Sequence, residues 1–281
     1  MLCKDVLEVI EFFYPQNTAL DFDNVGLLCG RYDKEVKKVF IALDATDEVI
    51  AQACDWGADL LITHHPMFLS PFKAITSDDY IGRRLIKLIQ NDISYYAMHT
   101  NYDVMKLGFL MGEMLGLVHM KTLYESMSVE ESHAIREVAG ICTEDTDIYL
   151  NDGPLGLGVI GDLPHMLTLE QCCELVKEKY SLSEVKVYGD LEKVVTSVGI
   201  APGSGKRTIP KALEKKVDVL ITGDIGHHDG LLGVDNELAI IDAGHYNTEY
   251  PFIEDMKNFL QTGGPDLEIR TMDIKTPYTI I

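Results

Sequence analysis

Six of the nine histidines fall at or just beyond the ends of short apolar runs: His64, His65, His99, His227, His228 and His245. Imidazole and carboxylate are donors that suit Zn, Mn, Fe, Co or Ni, and no thiolate cluster accompanies them, so the expected site uses nitrogen and oxygen rather than sulfur. His245 and Glu249 stand four residues apart where the chain enters a helix running towards Asn258, so both side chains can project from one face. His99 and Asp103 share that spacing. One such pair is common on a solvated helix face. Two pairs at equivalent places, with His64 and His65 adjacent at a third run end, point to a metal site. The competing reading has His64 and His65 only hydrogen-bonding main-chain carbonyls.

The elements that must position these residues alternate strand and helix. The apolar runs Val39–Leu43, Leu60–Ile62, Tyr95–Met98, Val198–Ala201, Val219–Ile221 and Ala239–Ile241 each end in a polar or glycine cluster. Runs of this kind, separated by helix-period segments such as Lys4–Phe13, are the signature of βαβ units and a sheet covered on both faces. Ligands in such sheets bind beyond the carboxyl ends of the strands, so the polar clusters are expected to share one edge.

The chain also repeats itself. Val39, Ile41 and Ala42 match Val198, Ile200 and Ala201 at an offset of 159, and the same offset carries Ala58–Thr63 onto Val217–Thr222. His99–Asp103 resembles His245–Glu249 at an offset of 146. The expected fold class is α/β, with two similar α/β halves facing a shared metal cleft and a small α+β middle segment. Its divisions are 1–120, 121–190 and 191–281. In the middle, Ala134–Cys142, Leu155–Ile160 and Val185–Tyr188 read as strands and Leu169–Tyr180 as a helix.

Lys and Arg number 24 against 45 Asp and Glu, a formal charge of −21. Such an excess repels phosphate backbones and anionic headgroups, making nucleic acid an unlikely partner, while bound cations stay compatible. No stretch approaches the roughly 18 apolar residues that span a bilayer, so no membrane partner and a cytoplasmic location are expected. The six cysteines form no CxxC pair and read as small buried hydrophobes.

The words Asp21–Leu27, Ala58–Pro66, His99–Asp103, Thr222–His228 and Gly244–Glu249 resemble those of the Nif-three-like family of dinuclear metal centre proteins, whose members are labelled GTP cyclohydrolase I type 2 homologs. The resemblance implies two divalent metal ions per chain (Zn, Fe, Mn, Co or Ni) held by His64, His65, Asp103, His245 and Glu249. Asp103 and Glu249 are then the natural ligands shared by both ions. It leaves His99 outside the ligand set, whereas the repeat would put it inside. We follow the family pattern and assign His99 and His228 to catalysis, as groups that steady a ligand or carry a proton. The resemblance also implies a ring-shaped homohexamer. The chain departs from the family where Phe22 replaces a usual Trp, Val159 a usual Arg and Asp224 a commoner Glu.

Gly203-Ser204-Gly205-Lys206 is not a P-loop, because Arg207 follows the lysine and Ile200 stands where the first glycine belongs. It reads as a tight strand-to-helix turn whose Lys206 or Arg207 could meet an anionic substrate. Two ions about 3.5–4 Å apart acidify water and clamp attacking and departing oxygens. The expected function is therefore a metal-dependent hydrolase acting on a small polar or nucleotide substrate, GTP cyclohydrolase-like by resemblance. The alternative is a non-enzymatic metal-handling or regulatory binding protein.

Overall fold

A computed structural model describes residues 1–139, 153–264, 266–273, 276 and 278–279. Its strands are β1 (Gly26–Cys29), β2 (Lys38–Ala42), β3 (Leu60–Thr63), β4 (Ser94–Ala97), β5 (Val118–Glu125), β6 (Gly156–Thr168), β7 (Lys186–Tyr188), β8 (Val194–Ser204), β9 (Val219–Gly223), β10 (Ala239–Asp242) and β11 (Glu268–Thr271). They form two sheets, each within its own compact unit: Met1–Tyr102 with Phe252–Pro277, and Asp103–Pro251 with Tyr278–Ile281. The protein is thus a mixed α/β chain with two sheets.

In the first unit the sheet order is β1-β4-β3-β2-β11, parallel except for β1. β2 and β3 are apolar on both faces because both faces are covered. Phe40, Ala42 and Leu61 pack with Val49, Ile50 and Ala53 of the helix Asp47–Trp56, while Val39, Ile41, Leu60 and Ile62 are buried on the other face. That helix starts where Thr46 accepts a hydrogen bond from Val49 N, and it stops at Gly57 in the left-handed conformation. In the second unit the order is β5-β6-β8-β9-β10-β7, with β8, β9 and β10 parallel.

The internal repeat is visible in the hydrogen bonds. Val39 lies opposite Leu60 in one sheet and Val198 opposite Val219 in the other, an offset of 159 for both strands. Asp59 Oδ2 accepts from Lys37 N and Lys38 N at 2.9 and 3.0 Å, and Asp218 Oδ2 accepts from Thr196 N and Ser197 N at 2.8 Å each. Lys34 Nζ donates to the carbonyl of Asp92, and Lys193 Nζ to the carbonyl of Glu237. Asp92 and Glu237 are both left-handed turn residues, at φ 53° and 61°.

Three features differ from the sequence reading. The segment expected as a strand from Ala134 is helical over Val129–Val138, where Ser128 and Glu131 form a capping box and Ile135 and Val138 stand at the three-residue spacing of a helix. Residues 140–142 of that segment lie outside the described residues. Among the described residues of 121–190 there is no separate sheet, since β6 and β7 join the sheet built on β8–β10. The chain end also returns to the first unit as β11, beside β2.

Candidate metal centre

In the first unit the histidines sit at the carboxyl ends of β3 and β4. Beyond β3 the main chain stays attached to its neighbour, with His64 N and His65 N donating to the carbonyls of Ala42 and Leu43. Thr63 Oγ1 and the Tyr95 hydroxyl both donate to the His65 carbonyl, and Met67 N donates to the Tyr95 oxygen. Burial pushes the Tyr95 phenol up to about 12, so it stays protonated and pins the turn. His64 is fully buried against Phe252, with ring centroids 5.1 Å apart, while His65 and His99 are about one-fifth exposed. One ring nitrogen from each of His64, His65 and His99 lies within 4.8 Å of the others, close enough for one ion to meet all three.

Two of these imidazoles are held from behind. His65 Nδ1 lies 2.9 Å from Asp44 Oδ1, and His99 Nδ1 lies 2.9 Å from Asp23 Oδ1. An ionised carboxylate only accepts, so Nδ1 carries the proton and the neutral ring keeps at Nε2 the lone pair that a metal ion would take. Asp23 also accepts from Thr100 N at 2.9 Å and Thr100 Oγ1 at 2.5 Å. Burial alone would raise its pKa, but the His99 and Thr100 interactions outweigh burial and bring the carboxyl down to about 2.

In the second unit His245 opens the short helix His245–Glu249 beyond β10. Its Nδ1 lies 2.7 Å from Asp224 Oδ2, and its Nε2 lies 3.0 Å from Oε2 of the buried Glu249. With Nδ1 donating to Asp224, Nε2 faces the Glu249 carboxylate, an arrangement satisfied either by a second proton on the imidazole or by a metal cation held by both groups. Asp224 reaches His245 from a left-handed backbone, φ 58°, a conformation that aspartate tolerates better than most side chains. Asp103 begins a five-residue π-helical turn, Asp103–Leu107, a rare conformation frequent at functional sites.

The structure brings together ring nitrogens of His64, His65 and His99. It does not make His99 the equivalent of His245. Ser94 aligns with Leu60 and Ala239 with Val219, an offset of 145, so the second histidine lies one residue further on than His99. His99 precedes the helical turn Thr100–Tyr102, whereas His245 is the first residue of its helix. The added residue, Gly244 at φ 86°, makes the difference. His228 lies on the exposed first turn of the helix His227–Asp235, its ring 5.3 Å from that of His227 and outside the His64–His65–His99 group. Asp44 had no signal in the sequence beyond its place after β2. Asp23 and Asp224 stand inside family words, but their partners are distant along the chain.

A family model described as Duf34/NIF3 (NGG1p interacting factor 3) matches residues 1–277. The chain belongs to the Duf34/NIF3 family. A relative from Clostridium perfringens named GTP cyclohydrolase 1 type 2 homolog is 32% identical over 286 residues, covering 100% of both chains. Among solved structures, the Bacillus cereus protein related to NIF3 matches with a TM-score of 0.83 at 25% identity, covering 100% of this chain and 99% of the other. Reduced HcgD from Methanocaldococcus jannaschii matches with a TM-score of 0.77 at 31% identity, covering 97% and 98%. These Duf34/NIF3 neighbours carry the same pair of similar halves. Among the described residues no helix is long and apolar enough to cross a membrane.

The donors fit a divalent ion. Neutral imidazoles with fixed Nε2 lone pairs, together with one buried carboxylate, are the nitrogen and oxygen set that Zn, Mn, Fe, Co and Ni accept. Of the cysteines that could compete, Cys3, Cys172 and Cys173 are buried, and burial raises their thiols above the ordinary range.

Proposed function

We propose that the protein is a dinuclear metal-dependent hydrolase acting on a small polar or nucleotide substrate, with His64, His65, Asp103, His245 and Glu249 as the ligands of two divalent ions. The observation that carries this reading is the oriented donor set: His65 and His245 each have Nδ1 held by an aspartate, and His64 and His65 have ring nitrogens within reach of one ion. Bound ions would supply Lewis-acid polarisation of a substrate oxygen and acidify water. The chain's own part is to hold the imidazoles in one tautomer and to keep Glu249 dry. In this reading His99 steadies the metal end of the first unit, and its Nε2, freed by Asp23, is the atom placed to accept or return a proton. His228, exposed and apart, would serve only a substrate that extends over the second unit's strand ends. The curated relatives' name supports GTP as the first substrate to try. The same reading takes the protein to be cytoplasmic and a homohexamer, which a monomer in light scattering at micromolar concentration would overturn.

Metal-replete protein incubated with GTP and with generic phosphoesters tests the activity. Metal-dependent turnover abolished by Asp103→Asn is the expected result. Unaltered substrates together with freely reversible metal exchange would instead identify a metal-handling protein.

A further inference from the structure

At the carboxyl edge of the second unit's sheet, two loops carry the halves of one hydrogen-bonded pair: Asp224 follows β9 and His245 follows β10. The main-chain ladder between these strands ends where Ala243 N donates to the Thr222 carbonyl at 2.7 Å. Beyond it, the side chain of Asp242, the last residue of β10, ties the loops together. Its Oδ2 accepts from Ile225 N at 3.1 Å and its Oδ1 from Gly244 N at 3.2 Å. One donor is the neighbour of Asp224 and the other the neighbour of His245. The loops are closely packed, for a Cβ on Gly223 would collide with His245 N.

The Asp242 side chain is only 9% exposed, and a carboxylate so placed needs its charge compensated. Lys186 compensates it. β7 runs antiparallel to β10 with Lys186 directly opposite Asp242, and Nζ lies 2.8 Å from Oδ2. The same ammonium donates to the Ile225 carbonyl at 2.8 Å, so it also holds the loop that carries Asp224. Burial works against this ammonium, yet the Asp242 carboxylate keeps its pKa above the ordinary lysine value. The first unit meets the same need with other residues. There the strand pair equivalent to Asp242–Lys186 is Ala97–Gly26, which offers no charge, and Asp23, just ahead of β1, supplies the carboxylate that accepts from Thr100 N.

We propose that Asp242 and Lys186 are positioning residues: together they set the spacing of the two loops and so the aim of His245 Nε2 at a bound ion. The inference rests on the metal-site reading above and adds the residues that align the second unit's imidazole. They act through Asp224, because the contact between Asp224 and His245 weakens steeply as the loops shift and bend it.

The test uses the full-length protein loaded with cobalt(II), whose visible absorption follows the geometry of its ligands. In Asp242→Asn one acceptor becomes a donor, so Ile225 N or Gly244 N loses its partner. This variant should bind cobalt about tenfold more weakly or worse, in competition with a chromophoric chelator, and with an altered spectrum. Lys186→Met should shift both in the same direction, and Lys186→Arg should stay near wild type. Adding Asp242→Asn to Asp224→Ala should weaken binding by no more than about a further twofold. Asp218→Ala removes a carboxylate from main-chain donors at the opposite end of the same sheet, and should lower the urea midpoint with the spectrum unchanged. In chelator-treated protein, amide exchange over residues 222–249 should quicken in Asp242→Asn relative to the rest of the sheet. Losses that multiply fully in the double variant, a spectrum altered as much by Asp218→Ala as by Asp242→Asn, or unchanged exchange over 222–249 would each overturn the proposal. Wild type that takes up no cobalt would overturn the metal-site reading, while the exchange measurement would still decide whether Asp242 holds the loops.

Discussion

Asp23 holds His99 through a 2.9 Å contact between Oδ1 and Nδ1, across 76 residues of chain and with the carboxylate wholly buried. A buried charge is tolerated only when its lone pairs are satisfied, and Thr100 and Asn24 N complete the set around Asp23. The arrangement locks the loop Asp21–Asn24 to the end of β4.

This lock has a pH signature. The folded carboxyl titrates near 2 against an ordinary 3.8. Its stabilisation is therefore full above the unfolded value and is lost as pH falls through the folded one. The shift corresponds to about 2 kcal/mol. In chelator-treated protein, Asp23→Asn should be less stable than wild type by about that amount at pH 6, with about half of the gap gone by pH 3. Urea unfolding across this range is the measurement, and a gap that stays constant would refute the assignment.

Asp44 and Asp224 play the corresponding part for His65 and His245, at 2.9 and 2.7 Å, but both are about half exposed. Their role is orientation rather than burial of a charge. Asp44→Ala and Asp224→Ala should each weaken metal binding by about 10- to 100-fold in competition with a chromophoric chelator, while urea midpoints of the metal-free variants stay near wild type. Unchanged metal affinity in both would mean that the imidazoles are positioned by other contacts.

Much of this was legible in the sequence. The strands covered on both faces announce themselves because burial on two sides demands continuous apolar runs, and β2, β3, β9 and β10 fall within a residue or two of those runs. β11 was not legible, because Glu268 and Arg270 alternate with Ile269 on a short edge strand and dilute its apolar signal. β5 was missed for a similar reason, its first residues being exposed. At the site, residue types and spacing single out the proposed metal donors, since few other roles call for adjacent histidines at a strand end. The aspartates behind them are invisible to spacing, for the fold alone brings Asp23 to His99. A word match also cannot see a one-residue slip against the sheet, and this slip is what separates His99 from His245.

The duplicated aspartates offer a test of the repeat as an energetic unit. Asp59 and Asp218 each accept two main-chain N–H groups at the start of a parallel strand pair. Removing either carboxylate leaves those partly exposed donors to water, at a cost of about 0.5–1.5 kcal/mol. Because the two lie in different sheets, the penalties of Asp59→Ala and Asp218→Ala should add in the double variant to within about 0.5 kcal/mol. Urea denaturation of the four proteins checks this; a strongly non-additive double variant would show that the two sites share structure.

The ligand assignment makes the last prediction. A carboxylate has two oxygens and can serve both ions, whereas an imidazole offers one nitrogen to one. Replacing Asp103 or Glu249 by Ala should therefore remove negative charge from both ions, leave their mutual repulsion less compensated, and lower the occupancy of both sites together. Replacing His65 by Ala should weaken one ion and spare the other in part. His133, exposed on the helix Val129–Val138, is the control whose replacement should leave metal content unchanged. Metal equivalents per chain, measured by elemental analysis after equilibration with limiting free metal, separate these outcomes. Two full equivalents retained in both Asp103→Ala and Glu249→Ala, or metal lost on His133→Ala, would refute the five-ligand set and the dinuclear reading built on it.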